Sequence, residues 1–409
     1  YKRQIEMKNN KNNNCNFPTL RFPEFSGEWK KDIIGNVISV KSEKYNPHSN
    51  RTEFICVELE SISQGTGELL ETFNSAEQKS IKNKFSPGTV LFGKLRPYLR
   101  KFYLPYFEGV CSSEIWVMRS NKIEPAFLYS FIQTPYFISL ANQSSGSKMP
   151  RADWGLIETS KIAYPPNSAE RVKIGKFLKL IDERIATQNK IIAHLESLIK
   201  GLSDTLLENP LWQKTYLRSF MQFYSTNSLS WGQLSYEEGE IRNLHYGLIH
   251  SFQTSEIDTD SLPRILPANV PKQYTLCQAG DVAFADASED TDEIGKAVEF
   301  IRTHKASVIC GLHTIHGRDI KCKTLLGFKR VAFNSHYFHD QIKRLAQGTK
   351  VFSITSSNLS SCYIYIPDIV MQKSIVVLFE AYEEQLITNK RLLEQYEKQK
   401  RYLLQQMFI

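Results

Sequence analysis

The chain repeats one pattern, and each copy ends in a long segment with heptad spacing. Apolar residues recur every three or four positions from 174 to 206, and again from 375 to 407. A helix with this spacing has one apolar face, which must be buried against a partner. The two copies also share a polar heptad position and a preceding proline, each pair 201 residues apart: Gln188 and Asn389, Pro166 and Pro367.

The repeat extends upstream of the helices with looser spacing. Three short motifs recur in the same order at offsets of 183, 192 and 202: Trp29 and Trp212, Gly88-Val90-Phe92 and Gly280-Val282-Phe284, Gly146-Ser-Lys148 and Gly348-Thr-Lys350. The drift in offset indicates two halves that share a plan but differ in loop length.

A chain of 409 residues is too long for one ordinary core and fits two domains of roughly 150 residues. We predict an α+β fold in which two domains with twisted, mostly antiparallel sheets are separated by two long helices. The predicted segments are 1–16 (disordered, rich in Lys and Asn), 17–165 (first domain), 166–208 (first helix), 209–366 (second domain) and 367–409 (second helix).

The two helices are predicted to pair with each other. Because both come from one chain with a globular domain between them, an intramolecular antiparallel coiled coil with pseudo-twofold symmetry is the simplest closure. Gln188 and Asn389 would then meet near the middle and penalise shifted registers. The alternative is that both amides face solvent and each helix covers only its own domain.

Within each domain, short apolar segments predict the following elements: strands at 54–59, 90–92, 115–118, 162–164, 282–285, 297–301, 307–310 and 362–366, and a helix at 125–139.

Composition predicts a cytoplasmic protein. The longest apolar runs fall short of the roughly 18 residues that span a bilayer, and the N-terminal segment has no apolar stretch typical of a secretory signal. The seven cysteines show no paired spacing, which fits a reducing compartment.

Charge is unevenly distributed although the net charge is only +8. Residues 79–101 carry seven basic side chains, no acidic one and several aromatics, a composition that suits a phosphate backbone. The alternative is an ordinary solvated basic strand. The matching place in the second half is acidic from Asp286 to Glu293, which indicates either a loop turned away from DNA or one that accepts from cytosine amino groups.

Apparent catalytic and metal signals fail on inspection. Residues 88–95 approach a phosphate-binding loop, but Leu95 stands where a Ser or Thr would bind Mg²⁺, and Pro97 blocks the expected helix. Cys310, His313, His316 and Cys322 lack the paired spacing of zinc ligands. We therefore predict no catalytic residue, no metal and no cofactor in this chain.

Several of these segments together resemble the DNA-specificity subunits of type I restriction–modification systems. In the first half the similar segments are Leu20-Arg-Phe-Pro-Glu-Phe25 with Trp29, Phe92-Gly-Lys-Leu-Arg-Pro-Tyr-Leu99, the exit from Gly146 to Pro166, and Ile181-Asp-Glu-Arg-Ile185. In the second half they are Gly280-Asp-Val282, Gly311-Leu-His-Thr314 and Tyr402-Leu-Leu-Gln-Gln-Met407.

The resemblance implies that each domain is a target recognition domain for one half of a bipartite site in double-stranded DNA, with the helices as spacers. It also implies that two methyltransferase subunits supply S-adenosylmethionine and that translocase-endonuclease subunits supply ATP- and Mg-dependent cleavage. Two other classes remain as alternatives: a self-contained DNA-modifying enzyme, and a coiled-coil adaptor that binds no nucleic acid.

The expected DNA contacts combine basic, aromatic and small polar side chains in turns that follow strands. In the first half they are Lys94, Arg96, Tyr98, Arg100, Ser147, Lys148 and Arg151; in the second half they are His313, Thr314, Arg318, Thr349 and Lys350.

Overall fold

The computed structural model describes residues 16–49, 52–143, 149–251, 257, 259–301 and 307–409. Its contacts divide into two units. The first unit contains residues 1–190 and 391–409, and the second contains residues 191–390. No helix in the described part of the chain is long and apolar enough to cross a membrane.

In the residues that the structure describes, the first unit is built on ten short strands in three sheets. The strands are β1 (Lys30–Ile33), β2 (Lys44–Tyr45), β3 (Ile55–Val57), β4 (Phe73–Asn74), β5 (Lys82–Phe85), β6 (Val90–Gly93), β7 (Phe102–Tyr103), β8 (Gly109–Cys111), β9 (Ile115–Met118) and β10 (Lys161–Tyr164). They pair in the orders β1-β10, β2-β5-β8-β3-β4 and β7-β6-β9. All pairs are antiparallel except β3 with β8.

The described part of the second unit has twelve strands in four sheets. The strands are β11 (Gln213–Tyr216), β12 (Met221–Tyr224), β13 (Leu234–Ser235), β14 (Ile241–Leu244), β15 (Arg264–Ile265), β16 (Val282–Ala285), β17 (Ala287–Ser288), β18 (Ala297–Glu299), β19 (Ser307–Cys310), β20 (Thr314–Asp319), β21 (Phe352–Ser353) and β22 (Tyr363–Ile366). Their orders are β11-β22, β12-β20-β16-β18, β13-β15-β14-β19 and β17-β21.

Ten helices accompany these strands in the described residues. They are α1 (Ile34–Val37), α2 (Pro125–Phe131), α3 (Pro135–Ala141), α4 (Trp154–Glu158), α5 (Ser168–Leu207), α6 (Tyr246–Ser251), α7 (Phe328–Phe333), α8 (His336–Leu345), α9 (Ser356–Ser361) and α10 (Ile369–Gln406). Two of them, α5 and α10, are the long heptad segments.

Strand pairing shows that the two units share one topology. In each, a buried strand lies between antiparallel neighbours: β6 between β7 and β9, and β16 between β18 and β20. In each, the strand before the last of these neighbours pairs in parallel with an earlier one, β8 with β3 and β19 with β14. The mixed sheets therefore confirm the predicted α+β class and the duplication.

Two sequence predictions need correction. The predicted helix over 125–139 is two helices, because Thr134 caps α3 by accepting from the Phe137 N–H, and Pro135 begins it. Asn16, placed in the disordered segment, belongs to the first unit: its carbonyl accepts from the Trp29 N–H at 2.6 Å. Residues 1–15 lie outside the described residues.

The ends of both long helices complete the core of each unit. In the first unit the heptad residues Ile174 to Ile185 of α5 pack with Leu403 and Met407 of α10 around Trp29 and Phe127. In the second, Ile199 and neighbours of α5 pack with Ile375, Val376 and Phe379 of α10. The heptad face is thus buried against sheets as well as against the other helix.

A buried polar side chain fixes the start of each long helix at equivalent positions. Arg171 of α5 forms two bonds to Glu124, of 2.7 and 3.1 Å, and donates to the Pro165 and Pro166 carbonyls. Gln372, 201 residues later on α10, donates to the carbonyls of Pro367 and Lys323 and accepts from the Leu325 N–H at 2.6 Å. Different side chains therefore join the helix to its unit in the same way.

Replacing Gln372, which is 1% exposed, should destabilise the protein. Gln372→Ala leaves the Leu325 N–H and the Pro367 carbonyl buried without their side-chain partner, and we expect the free energy of unfolding to fall by about 1–3 kcal/mol. Chemical denaturation measures this loss. The adjacent exposed Lys373 gives the control Lys373→Ala, expected within about 0.5 kcal/mol of the parent. Equal effects of the two variants would contradict the anchoring role.

Candidate DNA interface

The turn that follows β6 is held in a rigid frame by backbone hydrogen bonds. The Lys94 N–H donates to the Glu114 carbonyl at 2.9 Å, and the Lys94 carbonyl accepts from the Ala152 N–H at 2.8 Å. The Arg96 N–H donates to the Pro150 carbonyl at 2.8 Å. Residues 94–96 are therefore fixed against residues 150–152, and we call these two segments the first frame.

Exposed basic and aromatic side chains project from the first frame. Arg96 adopts a left-handed backbone conformation, φ 50°, at the start of a 3₁₀ turn that exposes Tyr98. Arg151 is also exposed and forms an ion pair with Glu114, at 3.1 Å between Nε and Oε2. The frame brings together Lys94, Arg96, Tyr98 and Arg151, four of the predicted contacts.

Arg100 does not belong to this surface. Its guanidinium is half-buried and donates to the Gln133 carbonyl at 3.1 Å, and it lines a cavity beside Lys400 and Arg401 of α10. Burial, with a smaller contribution from the charge of Arg401, lowers the pKa of Arg100. Arg100 is therefore held within the first unit by the Gln133 carbonyl, and its contact with DNA stays a prediction.

Much of the basic stretch 79–101 is occupied inside the unit. Three of its lysines have partners outside the stretch. Lys82 pairs with Glu58, Lys84 pairs with Glu43 at 2.7 Å, and the Lys101 ammonium donates to the Leu59 carbonyl at 2.6 Å. These contacts cannot be read from the local sequence. Within this stretch, we therefore expect phosphate contacts mainly from the residues that form the first frame.

The second unit builds the same frame with different side chains. The Asp286 N–H donates to the His313 carbonyl at 3.1 Å, and the Asp286 carbonyl accepts from the Ile354 N–H at 2.9 Å. Asp286 therefore occupies the position of Lys94, and His313 that of Glu114. The strand register agrees, because Gly93 pairs with Ile115 as Ala285 pairs with Thr314.

The acidic and the basic side chain occupy opposite positions in the two units. His313, left-handed with φ 54° and half-exposed, lies with its Nδ1 3.1 Å from the Asp286 carboxylate and its ring edge-on to Tyr246. Burial raises the pKa of Asp286, and His313 opposes that rise. The basic side chain now comes from the β19–β20 turn, and the acid from the turn after β16.

The acidic loop after β16 is partly neutralised within the second unit. Beyond Asp286, Asp292 pairs with Lys343, and Glu293 pairs with both His250 and Lys296, at 3.0 and 3.1 Å. The loop therefore contributes less negative charge than its sequence indicates.

Two predicted contacts in the second half have structural roles instead. Thr314 is buried and its hydroxyl donates to the Gly311 carbonyl at 2.6 Å. Arg318 forms two bonds of 2.7 Å to the buried Asp281, which also bonds His316. Burial alone would raise the pKa of Asp281, but the bonds from Arg318 and His316 outweigh it and lower the pKa.

Thr349 and Lys350 are exposed in the turn between Gln347 and β21. We call residues 286–288 and 352–354, which correspond to the first frame, the second frame. The base of the turn belongs to it, because β21 pairs with β17 directly after Asp286. Their predicted counterparts Ser147 and Lys148 lie outside the described residues.

Sequence reasoning missed Glu114 and the aromatic group beside His313. Trp231 is exposed and stacks on His245 with ring centroids 4.5 Å apart, and Tyr246 lies between His245 and His313. Tyr246 is 15 positions from Trp231 and 67 positions from His313 in the chain, and no local motif signals their proximity.

Two of the four residues considered as metal ligands, Cys310 and His316, are brought together, and the other two lie apart from them. Cys322 is exposed and His313 bonds Asp286. Cys310 and His316 lie beside Cys277, a residue that sequence reasoning had left out.

Comparisons with known proteins agree with this architecture. Residues 3–197 match the family of the type I restriction modification DNA specificity domain. The type I restriction enzyme EcoDI specificity subunit from Escherichia coli is 25% identical over 214 residues, which are 51% of this chain and 45% of that subunit. The aligned region thus spans less than half of that relative.

Two solved structures share the fold across the chain. The first belongs to a study of complex assembly and conformational transition of the type I R-M system, with a TM-score of 0.55, 18% identity and coverage of 92% of this chain and 95% of that one. The second is the type I restriction–modification S subunit from M. genitalium, with a TM-score of 0.58, 13% identity and coverage of 96% and 99%.

Residues 3–197 thus match the type I restriction modification DNA specificity domain, and the described chain shares the fold of the two solved structures.

The structural role of Arg318 predicts a loss of stability when it is replaced. Arg318→Ala removes two bonds from a buried carboxylate, and we expect the free energy of unfolding to fall by about 2–4 kcal/mol. Arg344→Ala, at an exposed position of α8, is the control and should stay within about 0.5 kcal/mol of the parent. Reduced DNA affinity without reduced stability in the Arg318 variant would show that it contacts DNA after all.

Proposed function

We propose that this chain is the sequence-specific DNA-binding subunit of a type I restriction–modification complex. Each unit contacts one half of a bipartite duplex site through its frame. The observation that carries the proposal is the repeated backbone frame with exchanged side chains: Lys94, Glu114 and Arg151 in one unit, Asp286 and His313 in the other. One scaffold that presents two chemically different surfaces suits two different half-sites.

The side chains of the first frame fit duplex DNA. The donors of an arginine guanidinium match the acceptors of a guanine edge or a phosphate. An exposed tyrosine next to them can pack against the sugar-phosphate backbone. Arg96 is the best placed of these, because its backbone is fixed through the Pro150 carbonyl and its side chain is exposed. A fixed base lowers the entropy lost when the side chain binds.

The second frame would recognise its half-site differently. His313 and the exposed Lys350 supply donors, while Asp286 can accept from a cytosine amino group. The aromatic group Trp231 and Tyr246 borders the same turn. Because Asp286 already bonds His313, the carboxylate and ring would act as one polar unit.

Catalysis is assigned to partners. Two methyltransferase subunits would bring S-adenosylmethionine to the half-sites, and translocase-endonuclease subunits would bring ATP and Mg for cleavage. The match of residues 3–197 to the specificity-domain family supports this assignment, and this chain would supply the recognition surfaces and the helices on which partners dock.

The long helices are proposed to form an antiparallel coiled coil that sets the spacing of the half-sites. Contacts inside each unit support this. In the first, Lys400 of α10 occupies a buried heptad position and its ammonium lies 2.5 Å from Asp182 of α5; in the second, Lys390 pairs with Glu196 at 2.8 Å. Gln188 is buried, as expected of a register position, and Asn389 is half-buried. Their mutual pairing remains a prediction.

Arg96→Ala tests DNA contact by the first frame. Loss of one direct contact should raise the dissociation constant of the full chain, assembled with its methyltransferase partners, roughly tenfold, which corresponds to about 1.4 kcal/mol. A phosphate contact would also reduce the slope of log K against log salt by about 0.9. Fluorescence anisotropy with a duplex containing the methylated site measures both quantities.

The control for this test is Lys30→Ala, which removes an exposed positive charge of the same unit outside the frame. It should leave affinity and salt slope close to those of the parent. If Arg96→Ala also left both unchanged, the assignment of the first frame would be wrong.

The spacer role predicts the effect of lengthening α5. Four residues inserted after Ala193 add roughly 6 Å of helix, against about 3.4 Å per base pair. The unread gap between half-sites should therefore grow by about one to two base pairs, or less if the helix pair absorbs the insertion as a stutter. Genome-wide mapping of methylated adenines reads the gap directly.

A four-residue insertion after Glu238, in the exposed turn between β13 and β14, serves as the control and should leave the gap unchanged. An active complex whose gap ignored the α5 insertion would show that the helices do not set spacing.

A further inference from the structure

Three metal-ligating side chains from separate segments meet inside the second unit. Cys277 precedes β16, Cys310 ends β19 and His316 lies in β20, and each is less than 10% exposed. One ligand atom from each residue lies within 4.8 Å of the other two. We propose that Cys277, Cys310 and His316 bind a zinc ion that joins these three segments.

The sulfur geometry fits zinc. Zn–S bonds of about 2.3 Å in a tetrahedral site place two thiolate sulfurs about 3.8 Å apart. The Sγ atoms of Cys277 and Cys310 are 3.6 Å apart. A disulfide would require them to close to about 2.05 Å, whereas zinc requires almost no movement.

The surroundings of His316 match those of a metal-bound imidazole. Its Nε2 lies 2.7 Å from Asp281 Oδ2, so Nδ1 is the nitrogen left for a ligand. Histidines that bind metals usually donate their other N–H to a carboxylate, which fixes the ring and its tautomer. Asp281 is itself held by both nitrogens of the Arg318 fork.

Charge balance favours zinc at this buried position. A divalent cation neutralises two thiolates, and Arg318 neutralises Asp281, so the whole group carries no net charge. Burial without net charge avoids the large desolvation cost of an unpaired ion. Magnesium and calcium prefer oxygen ligands, whereas thiolate and imidazole suit zinc.

The chain offers three ligands here, so a water molecule would supply the fourth. A cavity of about 580 Å³ reaches Cys310 and is lined by the turn from Ser225 to Leu229 and by Gln273 to Thr275. Water from this cavity would complete a tetrahedral site with three protein ligands.

The first unit lacks this chemistry on the same strands. Cys111 ends β8 as Cys310 ends β19, but the register places Val117 of β9 where β20 has His316. The shared fold therefore does not require a polar cluster here. The zinc site would belong to the second unit, where it fastens Cys277 and β19 beneath the His313 turn.

Cobalt substitution tests the site in the full chain. The reduced protein, stripped of metal with a chelator, should bind one Co²⁺ per chain and develop thiolate-to-cobalt charge-transfer and tetrahedral d–d absorption bands. Zinc should displace cobalt and raise Tm in a concentration-dependent manner. Cys277→Ser and Cys310→Ser should abolish the bands, while Cys322→Ser, at an exposed position, should keep them.

Wild-type measurements decide the question even if a variant fails to fold. Absence of tetrahedral bands and of any zinc-dependent Tm shift in the wild-type chain would overturn the site. So would an oxidised chain that is lighter by two hydrogens, carries a Cys277–Cys310 disulfide on peptide mapping, and takes up no metal after reduction. Bands that persist in Cys277→Ser would place the metal elsewhere and reject these ligands.

Discussion

Neither sheet system closes its core without the two long helices. The start of α5 and the end of α10 cover the first unit, and the end of α5 and the start of α10 cover the second. Burial of the heptad faces against sheet residues is a non-directional apolar contribution, so it does not by itself fix where each helix sits. Directional bonds from Arg171 and Gln372 at the two helix starts supply that position.

Directional pairing also explains why two basic side chains of α7 are buried in the second unit. Arg330 of α7, almost fully buried, pairs with Glu380 and Glu383 of α10, and Lys329 pairs with the buried Glu299. A buried cation requires a partner because desolvation is costly. These two basic residues are therefore held in the packing of the second unit. In the first frame, by contrast, Arg96 and Arg151 remain exposed.

Duplication lets the two units differ without changing the scaffold. The backbone bonds of the two frames are equivalent, so substitutions at Lys94, Glu114, Asp286 and His313 change the presented chemistry while the turn is kept. The same freedom holds inside, where β20 carries His316 and β9 carries Val117. At these matched backbone positions, side-chain identity is what separates one unit from the other.

The sequence alone determined the features that depend on local periodicity. Heptad spacing located both long helices, which run from Ser168 to Leu207 and from Ile369 to Gln406, and alternating or continuous apolar runs located strands such as β6, β9, β16 and β19. The offset of 201 residues between the helices, together with motifs in the same order upstream, revealed the duplication, and the family resemblance followed from ordered motifs. These signals survive because secondary structure buries side chains at fixed intervals along the chain.

Tertiary structure decided which charged and polar side chains are free. Arg100 and Arg318 were predicted as DNA contacts from the sequence, but the Gln133 carbonyl and the Asp281 carboxylate, both distant along the chain, hold them within the fold. The meeting of Cys277 with Cys310 and His316 was equally invisible. Such pairings depend on strand register between segments that are remote along the chain, and hydrogen bonds and ion pairs act over a few ångströms in space whatever the separation in sequence.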